Sequence, residues 1–502
     1  MRTDSHKSRG LAVCVLALPA MLLLGGCASS TNFANSLTGY SGQARGYKSA
    51  LDSGVPANVE HEIASMDGKC RSPDKILYLS ERGRLRSLSG DRSGSIVDYQ
   101  VASDAFENER MKAVISASDT LFAASSLASN DMAIPYDGYS FEKVMLHNMQ
   151  ALNYILDYKY DFASIELNRA DVEQSYQADK HAKELAEAET KSQDEKIDLK
   201  AFDASLAEKS AQDMFGADSV KNSFQNAFTF FLRGLMFEDS AENDKALIEY
   251  KKALAIFPSN HTVAESAMRV ANLNQDDRQK EQLRNAYGED LKGQLCPEDS
   301  GRLVIVFEKG FIISRSTFRI PFIWDNTILQ LVLPYYDTKG YMQSGALETS
   351  SNGKLCKTQT ICNLDAMAVQ SLKEDYSAIL LRQALRMIAK YQMQKEVDKQ
   401  SAGLGLLMKI TSVITDRADD RNWLTLPEVV QVGELFLPAG KNTVTCRYLG
   451  LSREIDLNIK TGQTHFIIVT QMGPQLMIQG NNIVEPPVEI PVQTPEDVTT
   501  AL

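Results

Sequence analysis

The sequence is poor in the residues that build metal and redox centres. Six histidines occur in 502 residues, and none of them has a second histidine within four positions. No two cysteines stand in a CxxC arrangement, and no HExxH motif is present. Because protein zinc sites use such closely spaced ligands, we predict neither a metal nor a cofactor.

Motifs for phosphate binding and nucleophilic catalysis are also missing. Gly433 and Gly440 have six residues between them where a P-loop has four, and Lys441 is followed by Asn instead of Ser or Thr. The glycines near Ser93 do not have GxSxG spacing. The sequence therefore predicts a protein that is not an enzyme.

One group of carboxylates leaves room for acid–base chemistry. Asp419 and Asp420 stand side by side, and Glu428 follows shortly after them. Paired carboxylates do acid–base work only where their surroundings separate their pKa values. We therefore favour a structural turn, with Arg421 paired nearby and Trp423 filling a helix–strand junction. A cell-wall hydrolase is the lesser alternative.

Basic residues are outnumbered, with 53 lysines and arginines against 65 aspartates and glutamates and a formal net charge of −12. Nucleic-acid binding needs clustered basic side chains that displace counterions from phosphates. The charge balance therefore argues against nucleic acid as a partner. It also disfavours broad electrostatic binding to anionic lipid.

Long apolar runs are absent, since no segment has the roughly 18 consecutive apolar residues of a membrane-spanning helix. A shorter run, Leu11–Leu24, follows three basic residues and is typical of a secretory signal peptide. It leads into the letters LLLGGCASS, in which Leu24, two glycines and Cys27 resemble a bacterial lipobox. We predict a lipoprotein signal peptide at residues 1–26.

Cys27 is the predicted lipid attachment site. Its thiol would carry a thioether-linked diacylglycerol, and its freed amine a further acyl chain such as palmitate. Two or three chains anchor a protein stably, whereas one chain binds only marginally. The polar residues that follow predict a flexible tether at 27–45. Ala28 in place of Asp resembles Gram-negative outer-membrane lipoproteins, so we expect an outer-membrane protein that faces the periplasm.

Five cysteines follow Cys27, namely Cys70, Cys296, Cys356, Cys362 and Cys446. An oxidising periplasm favours disulfides. The short polar segment CKTQTIC makes Cys356 and Cys362 the predicted pair. An odd total leaves at least one thiol free, and the pairing of the other three stays open.

Small and aromatic residues recur in the first half at spacings typical of tetratricopeptide repeats, where small residues let two helices approach closely. The matching positions are Gly83, Tyr99 and Ala102 in a first repeat; Ala151, Tyr154, Ala163 and Ala170 in a second; and Gly234, Ala246, Tyr250, Ala253 and Pro258 in a third. The three are not contiguous, which predicts a degenerate array with insertions. A plain antiparallel helical bundle is the alternative.

Residues 46–290 are predicted to form this helical domain, with a charged insertion at 173–213. The insertion is rich in Ala, Glu, Lys and Gln and contains neither Gly nor Pro. These residues form helices readily, and charges three or four positions apart pair on a helix surface. We therefore expect one or two long, exposed helices there.

The pattern changes near Cys296 to short apolar runs bounded by Gly, Pro and Asp, which predict strands. They lie at 302–308, 328–334, 430–437, 443–449, 454–459 and 464–471. A hairpin is predicted around Pro438, and an amphipathic helix at 366–400. The fold class is therefore α+β: helical repeats, then an antiparallel β-sandwich-like domain at 296–482 with one inserted helix, and a disordered Pro-rich tail at 483–502.

Four segments occur in the order ILYLSERGRLRSLSGDRSGS, YSFEKVMLHNMQALNYI, GRLVIVFEKG and DRADDRNWLTLPEVVQVGELFLPAG. Together they resemble a little-characterised family of proteobacterial periplasmic lipoproteins with tetratricopeptide-like helices. The resemblance covers roughly residues 70–480, and the block with Trp423 and Pro427 is its most specific part. The insertion at 173–213 departs from the family pattern.

The family resemblance implies a role in envelope assembly, because some members are encoded near lipoproteins resembling activators of penicillin-binding proteins. It implies no catalytic residues. Helical repeats leave a concave face for partners, so we predict a non-enzymatic scaffold for envelope proteins. A regulator of cell-wall synthesis is the alternative, by family analogy alone. A small-molecule carrier would need a deep pocket between the two halves.

Overall fold

The computed structural model describes residues 39–115, 135–194, 220–324, 327–336, 345–400 and 418–484. Helices make up the first half of the described chain, and strands dominate the second half around one long helix. The predicted signal peptide and Cys27 lie outside the described residues. Within these ranges, no helix is both long enough and apolar enough to cross a bilayer.

Ten α-helices are described before residue 290. They are α1 (Tyr40–Ser53), α2 (Pro56–Ser65), α3 (Lys75–Leu88), α4 (Arg92–Ile115), α5 (Ser140–Leu156), α6 (Tyr160–Asp194), α7 (Ala227–Asp239), α8 (Asn243–Ile256), α9 (His261–Leu273) and α10 (Asp277–Tyr287).

From α3 onward the helices pack as consecutive hairpins: α3 with α4, α5 with α6, α7 with α8, and α9 with α10. The last three hairpins close on one residue in the left-handed conformation, Tyr158, Ala241 or Gln275. In each, the N–H of the following residue bonds a carbonyl five positions back, at 2.9, 2.8 and 3.0 Å. This is the Schellman closure, so three hairpins share one turn geometry.

Small residues lie where the paired helices come closest. A Cβ atom on Gly83 would lie 2.6 Å from the Tyr99 ring, and one on Gly234 would lie 2.4 Å from the Tyr250 ring. Both tyrosines are fully buried. The first and third predicted repeats therefore share the same glycine–tyrosine contact.

Twelve strands and one more helix are described in the second half. They are β1 (Ser300–Lys309), β2 (Arg315–Trp324), β3 (Thr327–Tyr336), β4 (Glu348–Ser351), β5 (Lys354–Lys357), β6 (Gln359–Asn363), α11 (Leu364–Gln400), β7 (Val429–Pro438), β8 (Gly440–Tyr448), β9 (Leu451–Ile459), β10 (Thr464–Met472), β11 (Gln475–Gly480) and β12 (Ile483–Val484). The helix α11 covers the segment predicted at 366–400.

The strands form two five-stranded sheets and a separate ribbon. The first sheet has the order β11-β10-β1-β7-β6, the second β12-β9-β8-β4-β5, and β2 pairs only with β3 among the described strands. Strands β1 and β10 run parallel, so the predicted purely antiparallel pairing is wrong for the first sheet. The long connection between them, through the second sheet, gives the chain room to return in the same direction.

The predicted hairpin around Pro438 is also wrong. Strand β7 ends there and pairs with β1 and β6, whereas β8 pairs with β9 and β4 in the other sheet. Gly440, at φ 101°, lies at the corner where the chain passes from one sheet to the other. The alternation of apolar residues predicts where each strand lies in the sequence, but not which strand it pairs with.

The first sheet lies between the helices and the second sheet. On β1, Leu303 and Phe307 join a core with Val444 and Leu457 of the second sheet. Val304 and Val306 face the other way, into the core of the helical half. Successive side chains of a strand point to opposite faces, so one strand serves both cores.

Three predicted boundaries change. Helix α1 begins at Tyr40, which is 1% exposed, so the predicted tether ends before residue 45. The start of the insertion, to Asp194, continues α6, and its remainder to 213 lies outside the described residues. Strand β12 pairs Ile483 and Val484 with β9, so these two residues belong to a sheet. The rest of the predicted tail lies outside the description.

Candidate functional site

The segment Ala418–Glu428, here called the docked segment, lies between the helices and the first sheet. Residues 421–426 are each at most 2% exposed. The segment contains no helix or strand. The N–H of Glu428 donates to the Lys309 carbonyl of β1 at 2.9 Å, but the N–H groups of residues 423–425 have no acceptor among the described backbone carbonyls. Buried N–H groups must be satisfied in some other way.

Two buried glutamates supply those partners. Glu81 on α3 accepts hydrogen bonds from the N–H groups of Leu424, at 2.7 Å, and Thr425, at 3.2 Å. Glu142 on α5 accepts one from the N–H of Trp423 at 2.6 Å. Burial raises the pKa of both carboxyls, that of Glu142 to about 7, against the opposing effect of these hydrogen bonds. Each helix therefore holds the docked segment through one carboxylate.

The acidic residues considered for catalysis have structural contacts. Asp419 forms an ion pair with Arg421 at 2.8 Å, and Asp420 accepts the first N–H of α1 at 3.0 Å. Glu428 forms an ion pair with Lys309 at the end of β1. Trp423 is 1% exposed at the junction of helices and sheet. The predicted pairing of Arg421 and the predicted burial of Trp423 at the junction are both present.

A buried ion pair crosses the same junction. Arg84 on α3 donates to Glu308 on β1 at 2.6 Å, and the side chains are 5% and 0% exposed. Thr470 on β10 donates to the same Glu308 oxygen at 2.7 Å. An isolated charge at this depth would be costly, so helix α3 and the first sheet depend on one another.

Helices α4, α5 and α6, together with the start of α3, line a groove of about 800 Å³, here called the outer groove. Ile165 and Val172 of α6 lie on its wall, 48% and 62% exposed. Further large apolar side chains are exposed on α4 and α6, namely Val97, Val101, Met111 and Phe162. Contiguous exposed apolar surface is typical of interaction sites.

Charged side chains along the outer groove pair with one another. His147 Nδ1 lies 2.7 Å from Glu166, whose other oxygen accepts from Arg169 at 2.8 Å. Arg110 spans from α4 to Glu173 of α6 at 3.4 Å. The groove therefore offers apolar walls among paired charges, a composition suited to a protein surface.

A second cleft, here called the junction cleft, has a volume of about 830 Å³ and lies where the helical hairpins meet the first sheet. Arg302 and Arg269 both bond Glu238, at 2.8 and 2.7 Å. Burial acts to raise the pKa of Glu238, but the two guanidinium groups outweigh it and lower the pKa to about 2. This carboxylate stays ionised and ties the wall together.

No protein-family model, curated protein or solved structure matches the chain. The resemblance to periplasmic lipoproteins therefore stays a prediction.

The predicted disulfide is wrong, because Cys356 and Cys362 are both free thiols. The segment between them carries the chain from β5 in the second sheet to β6 in the first. Cys356 packs against the core between the sheets, whereas Cys362 packs in the helical core, 3.7 Å from the sulfur of Met367. Burial raises their thiol pKa values to about 11 and about 12. Cys70, Cys296 and Cys446 are free as well.

The predicted repeat positions lie at helix contacts rather than in a site. Ala102, Ala151, Ala163, Ala170, Ala246 and Ala253 are at most 1% exposed. Tyr154 is half-buried and stacks on Phe162 at 5.4 Å, and Pro258 is exposed just beyond the end of α8. In the described ranges, no three His, Cys, Asp or Glu side chains are arranged to hold a metal ion.

Proposed function

We propose that the chain is a lipid-anchored periplasmic scaffold of the outer membrane that binds an envelope protein through the outer groove. It does so without catalysing a reaction. The Leu24-Gly25-Gly26-Cys27 motif supports the anchor. Cys27 precedes Tyr40 by 13 residues, and a chain of that length spans at most about 45 Å. The lipid would hold the helices near the membrane.

In this proposal the helical hairpins are tetratricopeptide-like repeats, and the two facing sheets form a β-sandwich-like unit. The glycine–tyrosine contact found in two hairpins supports the repeat assignment. So does the Schellman closure shared by three of them. The core shared by β1, β8 and β9 supports the sandwich-like packing.

The observation that carries the proposal is which face of the helices remains open. Glu81 of α3 and Glu142 of α5 already accept hydrogen bonds from the docked segment. The face of the helices that carries them is therefore covered and is not free for a partner. The outer groove keeps Ile165 and Val172 exposed beside a cavity of about 800 Å³. A partner would bury these side chains and gain hydrophobic stabilisation.

Site-specific photo-crosslinking in the native host tests the partner. The full-length chain carries the photoreactive residue at Val172, or at Leu449 as a control, which is 79% exposed between β8 and β9. We expect an envelope protein to crosslink from position 172 only, and to be lost when Ile165→Glu is added. Identical adducts from both positions would contradict the groove assignment.

The anchor is tested separately with a fatty-acid analogue. The wild-type chain should incorporate the label, and the Cys27→Ala variant should not. An unlabelled wild-type chain would remove the membrane part of the proposal.

A further inference from the structure

Tyr158 occupies a backbone position that disfavours it. Its φ of 58° is left-handed, a conformation that favours glycine and costs a bulky residue free energy. The equivalent turn positions of the next two hairpins carry Ala241 and Gln275 at nearly the same φ. The turn geometry therefore explains the backbone but not the choice of a tyrosine.

The side chain of Tyr158 lies on the wall of the junction cleft, together with Tyr160. The two ring centroids are 6.2 Å apart and the ring planes meet at 88°. Tyr158 is 44% exposed, so little of its ring is used in the core. Two aromatic walls at a right angle resemble the cages that hold organic ammonium ions.

A carboxylate lies beside the aromatic pair. Asp239 lines the same cleft, and its side chain is 32% exposed. Its Oδ1 accepts from Arg302 and from Thr464, at 2.7 Å for the latter. Within the described chain, Oδ2 has no hydrogen-bond donor, which leaves it open to a ligand. Asp239 and Tyr160 line the same cleft.

We propose that the junction cleft binds an organic ammonium group, held between the rings of Tyr158 and Tyr160 and the carboxylate of Asp239. The cleft is large enough for a ligand with a further polar part, since small-molecule sites typically measure roughly 300–1,000 Å³. Lys460 also lines it and would receive an anionic part of the same molecule. This site is separate from the outer groove and does not depend on the proposed scaffold role.

Most other charges around the site are already paired within the wall of the cleft. Arg302 is paired with Glu238 and Asp239, and Arg269 with Glu238 and Glu434. Asp161 adds a second exposed carboxylate to the wall. Lys460 is the one cation of the described wall for which the structure gives no ion pair.

Ligand-observed NMR with tetramethylammonium tests the proposal on the full chain. We expect saturable binding of the cation and none of tert-butanol, its neutral counterpart of similar shape. The Tyr158→Gly variant should weaken binding roughly threefold to thirtyfold, the range that one cation–π contact contributes. This variant also relieves the left-handed backbone, so the fold should be at least as stable.

The matched control is Ala241→Gly, which relieves the same backbone conformation in the next hairpin without removing a ring. Its affinity for the cation should equal that of the wild-type chain. Glycerophosphoethanolamine and Nα-acetyl-lysine amide, used as competitors, then distinguish a lipid headgroup from a peptide amine as the source. The proposal is overturned if Tyr158→Gly binds the cation as tightly as the wild-type chain, or if tert-butanol binds as well as the cation.

Discussion

The two faces of the helical array use charge in opposite ways. On the inner face, Glu81 and Glu142 are buried and are bonded mainly to backbone N–H and hydroxyl groups rather than to basic side chains. On the outer face, charges such as Arg110 and Glu173 pair with each other near the surface. A buried carboxylate holds one partner segment in place, because leaving the carboxylate without its hydrogen-bond donors costs free energy. Paired surface charges stabilise little and can be rearranged.

This contrast indicates that the inner face joins the two halves of one molecule, whereas the outer face carries the groove proposed for a partner. The largest expected effect comes from breaking the junction on the inner side. Arg84→Leu leaves Glu308 charged and buried without its partner, which costs about 3–5 kcal/mol of unfolding free energy. Urea unfolding measures this change.

The control for that variant is Arg110→Leu, on the outer groove. Exposed ion pairs contribute about 0–1 kcal/mol, so its unfolding midpoint should move little. Equal losses in the two variants would contradict the distinction between the faces.

The pH dependence of stability sharpens the same comparison. Burial raises the pKa of Glu142 in the folded chain from 4.5 to about 7. The folded state therefore binds this proton more tightly than the unfolded state does. Proton binding at Glu142 stabilises the fold fully below about pH 4.5, and this stabilisation is lost as the pH rises to about 7. From the size of the shift, the loss is roughly 3 kcal/mol at most. Asp365, whose pKa burial raises to about 7, acts in the same direction.

The Glu142→Gln variant isolates the contribution of this one carboxyl. The difference in unfolding free energy between wild type and variant should change between pH 4.5 and 7. A pH-independent difference for Glu142→Gln would show that folding does not raise the pKa of this carboxyl.

Close packing within the hairpins predicts a smaller loss. Gly234→Ala places a Cβ 2.4 Å from the Tyr250 ring, so the ring must move, at a cost of about 1–3 kcal/mol. Gly68→Ala, where a Cβ meets nothing within 4 Å, should leave the thermal midpoint unchanged or slightly raised. A neutral Gly234→Ala would contradict the glycine–tyrosine contact as a packing requirement.

The smallest effect on stability is expected at the outer groove. Val172→Glu replaces a side chain that is 62% exposed, so the unfolding free energy should change by less than about 0.5 kcal/mol. Crosslinking of a partner from a neighbouring groove position should nevertheless be lost. Unchanged crosslinking would remove Val172 from the interface.

Local pattern predicts elements well in this chain because each depends on nearby residues. Apolar spacing gives α11 and six strands, and the small-residue spacing finds two glycine–tyrosine contacts. The hairpin α9–α10 escapes the spacing rule, since Met268 and Lys280 occupy its expected small positions. This hairpin closes through the same Schellman turn, at Gln275, but without the small residues at those positions.

What the sequence cannot predict are contacts between distant segments. Glu81 and Glu142 read as ordinary surface charges on helices, but their partners lie 343 and 281 residues away. The prediction of a disulfide between Cys356 and Cys362 failed for the same reason. Spacing in the sequence does not show that the chain passes from one sheet to the other between these two cysteines, which leaves both thiols free. Strand pairing and carboxylate burial are decided by the assembled layers.

The bond between the first N–H of α1 and Asp420 joins positions 380 residues apart. Any tension applied to the N-terminus would reach Asp420 at the first turn of α1, before it passes through the remaining helices. Hence a pull on the chain before α1 is transmitted straight to the layer where helices and sheets meet. Mechanical load on the N-terminus is thereby coupled to the integrity of the molecular centre.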